Sequence, residues 1–243
     1  LHLSILLENM RREGYEVSVS RPEVILKKID GVVMEPVERV VVNVPEIYSG
    51  SVISKLNLRK GMMVSMVPDG NYVKIEYMVP TRGLLGYRTE LINDSRGEGT
   101  IVRIFDHYEK YRGEIPQRVN GVLISNDQGE AIAYSLNNLE SRGILFISPG
   151  EKVYEGMIIG MNSRGEDITV NPCKAKKQSN TRSSAADDAV KLSPPRIMTL
   201  EAALEFINDD ELVEITPDSI RLRKRYLTEI ERRKHLNRIK TSE

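Results

Sequence analysis

Between Glu35 and about Arg112 the spacing of the apolar residues changes in a fixed order, and that order leaves few folds open. "VERVVVNV" alternates as a strand does, and "SGSVISKLNLRKG" places Val52, Ile53 and Leu56 on one helical face before stopping at Gly61. "MMVSMVPDGNYVKIEYMVP" reads as two strands flanking Asp69-Gly70. "TRGLLGYRTELINDSRG" then brings Leu84, Arg88 and Leu91 onto one helical face, with Leu85, Thr89 and Ile92 beside it, and "GTIVRIFDHYEKY" closes the unit as a strand. The order βαββαβ over residues 35–112 is the ferredoxin-like, split-βαβ plan. Both helices then cover one face of an antiparallel sheet, and the other face is free to dock.

Outside that unit the pattern differs on each side. "LHLSILLENMRREG" is apolar at Leu3, Leu6, Leu7 and Met10, a helical spacing, but no capping residue precedes it. Strand material follows around Val17, Val19, Val24 and Leu26. One helix and a strand or two cannot bury a core alone, so residues 1–34 are expected to be the remnant of a preceding domain cut from a longer protein. After Gly113 short apolar runs are separated by Gly, Asn and Asp turns, with one helical segment, "YSLNNLESRG". That spacing predicts a β-rich, barrel-like domain over residues 113–243. Within it Thr199 should cap a helix burying Leu200, Ala203, Leu204 and Ile207, and Pro217-Asp218 should turn a strand pair with Ile220 and Leu222 inward. The whole chain is therefore expected to be α+β.

One segment resists any place in a core. Lys174 to Asp188, "KAKKQSNTRSSAADD", holds no apolar side chain larger than alanine. It cannot offset the entropy of ordering itself, so residues 174–195 are expected to form a long mobile loop unless a partner holds them. A structureless insertion of this length inside a domain is uncommon unless it serves a function, although composition alone also fits a linker.

Charge narrows the kind of partner. Lys plus Arg and Asp plus Glu are both 35, so the net charge gives no overall pull toward nucleic acid. The distribution is uneven: Arg221 to Lys240 holds nine Lys or Arg against Glu229 and Glu231, and Lys174 to Arg196 holds six against Asp187 and Asp188. Arg223, Lys224 and Arg225 sit in the first of these runs. The terminal "RRKHLNR" reads equally as a solvated face, a phosphate contact or an arm packed on another domain. A membrane surface is disfavoured by its thin apolar face, and no run is long enough to span a bilayer. The absence of a secretory signal favours a cytoplasmic protein.

Catalytic chemistry has little material here. The single cysteine, Cys173, and the scattered His2, His107 and His235 offer neither a disulfide nor a metal cluster. There is no phosphate-cradling glycine loop placed between a strand and a helix. Asp209, Asp210 and Glu211 could hold a cation or simply line a solvated loop. Ser-Arg-Gly recurs at Ser95, Ser141 and Ser163, each time between apolar segments, which is turn chemistry with glycine at positive φ. In "TRGLLGYR", Arg82 and Arg88 would flank free amides in the first turns of a helix, an arrangement that suits RNA phosphate and that a solvated arginine face would equally produce. No catalytic residue, cofactor site or metal site is assigned within the chain.

Several longer stretches resemble a known family. "EPVERVVVNVPEIYSGSVISKLNLRKGMM", "YMVPTRGLLGYRTEL" and "GEGTIVRIFDHYEKYRG" look like the fifth domain of translational GTPases of the elongation factor G group. "NPCKAKKQSNTRSSAADDAVKLSPPRIMTLEAALEFINDDELVEITPDSIRLRKRYL" resembles the C-terminal domain peculiar to the BipA/TypA family, and "LHLSILLENMRREGYEVSVSRPEVI" the end of that family's third domain. The resemblance implies a monomeric parent whose GTP is bound and hydrolysed in an N-terminal G domain, so the present segment is not itself expected to be an enzyme. It also implies action on the 70S ribosome and the large subunit in assembly, stress and cold adaptation. The C-terminal domain would contact rRNA and reach the acceptor end of an A-site tRNA. By likeness, Lys174, Lys176, Lys177 and Arg182, with Ser179, Asn180 and Thr181 as hydrogen-bonding companions, are the RNA-contact candidates, joined by Arg82, Arg88, Arg223, Lys224 and Arg225. The alternative is a protein-interaction module whose free sheet face docks the GTPase domains or ribosomal proteins.

Overall fold

The computed structural model describes residues 2–115, 118, 120–175 and 192–242. The chain divides into two compact units, residues 22–117 and residues 1–21 with 118–243. Residues 1–34 thus contribute to both. The opening helix α1 (His2–Arg12) and strand β1 (Val17–Ser20) belong to the second unit.

The first unit is built from β2 (Lys27–Ile29), β3 (Val32–Pro45), α2 (Ser49–Leu58), β4 (Met62–Asp69), β5 (Tyr72–Pro80), α3 (Tyr87–Asp94) and β6 (Thr100–Lys110). Its strands run in the order β6-β3-β5-β4, every pair antiparallel, with β2 a short addition to the start of β3. This is the ferredoxin-like order expected from the periodicities. Strand alternation decides the faces. Val40, Val42 and Val44 of β3 and Val73, Ile75, Tyr77 and Val79 of β5 are buried against Val52 and Leu56 of α2 and Tyr87 and Leu91 of α3. The opposite parity presents Arg39, Glu76, Val102 and Ile104, the last two 59% and 65% exposed.

One helix starts later than its sequence pattern predicts. Thr81–Leu84 forms a short 3-10 turn, held by Arg59, which donates to the carbonyls of Gly83 (2.7 Å) and Leu85 (3.2 Å). Gly86 then adopts φ 72°, a left-handed conformation that an α-helix cannot absorb, so α3 begins at Tyr87. The buried stripe is therefore Tyr87 and Leu91, and Arg88 points to solvent. At the far end Gly97 of the first Ser-Arg-Gly has the expected positive φ, 89°, whereas Gly143 and Gly165 of the other two do not, Gly143 opening a strand instead.

The second unit adds β7 (Val122–Ser125), β8 (Gly129–Glu130), α4 (Ala133–Glu140), β9 (Gly143–Leu145), β10 (Lys152–Val153), β11 (Met157–Asn162), β12 (Ile168–Val170), α5 (Leu200–Phe206), β13 (Glu211–Ile215), β14 (Ile220–Lys224) and α6 (Glu229–Ser242). Seven strands form one sheet in the order β1-β13-β14-β11-β7-β12, with β9 also paired to β11 and β12 parallel to β7. The β-rich expectation holds, but the sheet ends at β1 and β12 and does not close into a barrel. The physical reason lies in its middle strands. Val122 and Ile124 of β7 pack with Leu200, Ala203, Leu204 and Ile207 around α5, while Leu123 between them packs with Leu136 and Leu139 of α4. A sheet that needs a helix-supported core on each face has no reason to curl around a single interior. Thr199 caps α5 as predicted, its hydroxyl accepting from the Ala202 N–H at 3.3 Å.

Candidate nucleic-acid interface

The cations nominated from sequence fall into sharply different environments. Lys224 is 2% exposed and its ammonium donates to Asp167 (2.6 Å), Asp210 (2.7 Å) and Glu211 (2.9 Å). All three ammonium donors are engaged by carboxylates of the same unit, so Lys224 is a core cation and not the phosphate contact proposed from sequence. Glu211, fully buried, sits opposite Lys224 in the β13–β14 register. It also receives a two-pronged contact from Arg118, at 2.9 and 3.0 Å, and the Asn208 N–H at 2.9 Å. Arg118 in turn donates to the Phe206 carbonyl and lies over the Phe206 ring. Burial by itself would raise the Glu211 pKa, but the hydrogen bond from Arg118 and the charges of Lys224 and Arg118 hold it below the usual carboxylate range. Burial would lower the Lys224 pKa, yet Glu211, Asp210 and Asp167 together raise it.

This network also decides the acidic run. Asp210 and Glu211 face Lys224, and Asp209 lies 3.6 Å from Arg21. Among the described residues no cluster of His, Cys, Asp and Glu could hold a metal ion. Sequence reasoning missed the network although a signal was available. The alternation that turns Leu222 inward also turns Lys224 inward, and on β13 Glu211 shares the inward parity of Val213 and Ile215.

Arg82 is likewise engaged. Its Nε lies 2.5 Å from the Glu35 carboxylate, its Nη2 donates to the Gly113 carbonyl, and the guanidinium stacks 4.3 Å from the Tyr111 ring centroid. Glu35, fully buried, additionally accepts from the Arg112 N–H at 2.6 Å. Arg82 is therefore a fastener between β3, the 3-10 turn and the end of β6, and the solvated cation foreseen from sequence is not seen there. Arg223 pairs with Glu214 at 2.7 Å and is mostly covered.

The remaining candidates are outward. Arg88 and Arg225 are exposed, and neither guanidinium meets a carboxylate among the described residues; Lys174 is exposed at the mouth of the polar stretch. Lys176, Lys177, Ser179, Asn180, Thr181 and Arg182 lie outside the described residues. On α6, Thr228 and Glu231 form a reciprocal capping box, the Thr228 hydroxyl accepting from the Glu231 N–H and the Glu231 carboxylate from the Thr228 N–H. Arg232 is turned back onto the carbonyls of Tyr226 and Leu227, and Arg233 pairs with Glu229, leaving Lys234 and Arg238 outward. Among the described residues no helix is long and apolar enough to cross a membrane.

Comparison with known proteins matches these two units to two families. Residues 32–119 match the elongation factor G C-terminus, which places the five-stranded unit in that class of domain. Residues 120–229 match the TypA/BipA C-terminal domain. The chain belongs to the BipA/TypA family. It is 54% identical over 236 residues to the large ribosomal subunit assembly factor BipA of Escherichia coli (strain K12), covering 96% of this chain and 39% of that protein. The proteins of the same name from Bacillus subtilis (strain 168) and Haemophilus influenzae are 49% and 52% identical over 244 residues, covering all of this chain and 40% and 39% of theirs. The chain thus spans about two fifths of the length of these relatives.

Proposed function

We propose that this chain is the ribosome-engaging portion of a translational GTPase that serves assembly of the large ribosomal subunit. GTP would be bound and hydrolysed by a G domain outside the 243 residues. The observation that carries the reading is the extended identity to proteins named for large-subunit assembly, which runs through both units. The distribution of charge supports it: after the buried and paired cations are set aside, Lys174, Arg88, Arg225, Lys234 and Arg238 still face solvent on a chain of zero net charge. The finer proposal is that Lys174 to Asp188 grips rRNA and the acceptor end of an A-site tRNA, because a segment with no apolar side chain larger than alanine can gain order from phosphates and base edges. A contribution to growth under stress or in the cold follows from the same reading, and depletion of the full-length parent at low temperature tests it.

Cosedimentation with large subunits over a salt series, beside a chain lacking residues 174–188, tests the RNA contact. The deletion is expected to weaken binding and to flatten the slope of log affinity against log salt by about 0.7 to 0.9 for each phosphate contact removed. Unchanged affinity and slope would remove that segment from the interface.

A second reading is favoured by one observation, the open sheet face of the first unit with Val102 and Ile104 exposed. A protein partner docked there would survive ribonuclease treatment of the complex, whereas an RNA-held complex would not.

A further inference from the structure

We propose that a cavity between α4 and the end of β12 holds one unpaired RNA nucleotide, its base against Tyr134 and its phosphate between Arg142 and Lys174. This inference rests on the RNA-binding reading above and gives it a site. The cavity has a volume of about 360 Å³, at the lower end of the range for small-molecule pockets. Tyr134, Asn138 and Arg142 follow one another at intervals of four residues, so α4 and the turn after it present them along one wall. Leu139, almost fully buried, contributes an apolar surface, and Asn171 and Lys174 stand on the facing wall.

Three features distinguish this cavity from an ordinary surface dent. First, among the described residues its lining contains two cations and no carboxylate, and neither Arg142 nor Lys174 forms an ion pair with them. On a chain with equal numbers of acids and bases, an acid-free wall with two unneutralised cations is a place for an anion. Second, Tyr134 is 39% exposed, which leaves an aromatic surface available to a ring beside those cations. Third, the walls are fixed before any ligand arrives. The Ser135 hydroxyl donates to the Asn171 carbonyl at 2.5 Å, tying α4 to the end of β12. The Asn171 side chain is itself held on both sides, donating to Asp127 at 3.1 Å and accepting from the Cys173 N–H at 2.8 Å. Asn138 is exposed and donates its amide to the Tyr134 carbonyl, and its Oδ1 has no hydrogen-bond donor among the described residues, so it is available to a base edge.

Anion, ring and edge acceptor within one small volume match a nucleotide better than a free phosphate, which would leave Tyr134 and Asn138 unused. A paired base would be inaccessible to the ring, so the nucleotide must be unstacked from a helix. Lys174 begins the polar stretch proposed to contact RNA, so the cavity would anchor RNA at its root.

Titration of the isotope-labelled 243-residue chain with each of the four nucleoside 5′-monophosphates, followed by NMR, tests the site directly. Saturable shifts confined to Tyr134, Asn138, Arg142, Lys174 and their neighbours are expected. Tyr134→Ala should weaken this binding about fivefold to a hundredfold, the range for loss of one base–aromatic stack, while Tyr134→Phe retains it. Arg142→Ala should weaken all four nucleotides alike, and the spectrum away from α4 reports that each variant is folded. Inorganic phosphate that shifts the same residues as tightly as the nucleotides would overturn base recognition, and so would an absence of shifts at millimolar nucleotide. If the chain binds large subunits with the expected salt slope while Tyr134→Ala binds as tightly as the parent and no monophosphate shifts the site, this inference fails and the RNA-binding reading stands. Monophosphate binding by a chain that ignores ribosomal subunits would support the site and sink the broader reading.

Discussion

The two larger sheets of this molecule solve the same burial problem in opposite ways. In the first unit one face of the sheet is covered by α2 and α3 and the other meets solvent, where Arg39 pairs with Glu76 at 3.1 Å beside exposed Val102 and Ile104. In the second unit β7 and β11 are buried on both faces, and a cation placed on that sheet, Lys224, is surrounded by three carboxylates. The contrast shows that position in the layer, not residue type, determines what a charge does. A lysine on the buried face of a strand, as Lys224 is on β14, must bring its counter-charges with it, because an isolated buried ammonium would cost several kcal/mol. An arginine on a singly covered sheet can lose its partner at little cost.

Removing one charge from each sheet tests this most strongly. Lys224→Ala leaves Glu211 with Arg118, and Asp210 and Asp167 with only the more distant charge of Arg232, and should cost about 3–5 kcal/mol in urea unfolding. Arg39→Ala should cost under about 1 kcal/mol. Acid should act through the same network. Glu211 is held below the usual carboxylate pKa, so its contribution is complete above the unfolded value of about 4.3 and is lost as pH falls through the lower folded value. Lys224, whose pKa is raised, contributes fully below its unfolded value of about 10.4 and loses this only as pH rises through the higher folded value. Glu211→Gln should therefore lower stability at neutral pH and flatten its decline in acid, and an unchanged acid limb would show that the network does not carry it.

A smaller effect, of packing alone, separates the faces. Ile159 is fully buried in the cluster around α4, and Ile159→Ala should cost about 2–5 kcal/mol. Ile104→Ala, on the open face, should change stability by less than about 0.5 kcal/mol. A large loss at Ile104 in the isolated chain would mean that the face is covered, for example by a second copy, which sedimentation would reveal.

The sequence made the first unit legible because its helices and strands differ in period and its strands alternate cleanly. Where apolar runs became continuous, as in "MIIG" of β11, alternation no longer marked the faces, and a sheet covered on both sides was read as a barrel. The start of α3 is not legible because the leucines before Gly86 continue a helical spacing that the backbone does not follow. At the candidate interface, composition alone groups cations that the fold separates. Arg88, Arg225 and Lys174 do face solvent, but Arg82 and Lys224 are held by carboxylates 47 and 13 residues away, Glu35 and Glu211. Such long-range pairing leaves no trace in local charge counts, although the parity of β14 did point Lys224 inward.

The two arginines of "TRGLLGYR" give the finest test, because they are six positions apart and looked alike in sequence. Arg82 neutralises buried Glu35 from a site where it also reaches the Gly113 carbonyl and the Tyr111 ring, so Arg82→Ala should destabilise the chain by roughly 1.5–3 kcal/mol, the scale of a hydrogen bond to a charged group. The loss should stop short of a fully stranded carboxylate because the Arg112 N–H still reaches Glu35. Arg88→Ala should leave the melting curve where it is. If Arg88 meets phosphate, its removal instead lowers the salt slope of subunit binding by nearly one, while Arg82→Lys, which keeps the charge, should leave that slope alone. Equal effects of the two substitutions on stability would contradict the buried pairing of Arg82, and equal effects on the salt slope would return Arg82 to the interface from which its partners now exclude it.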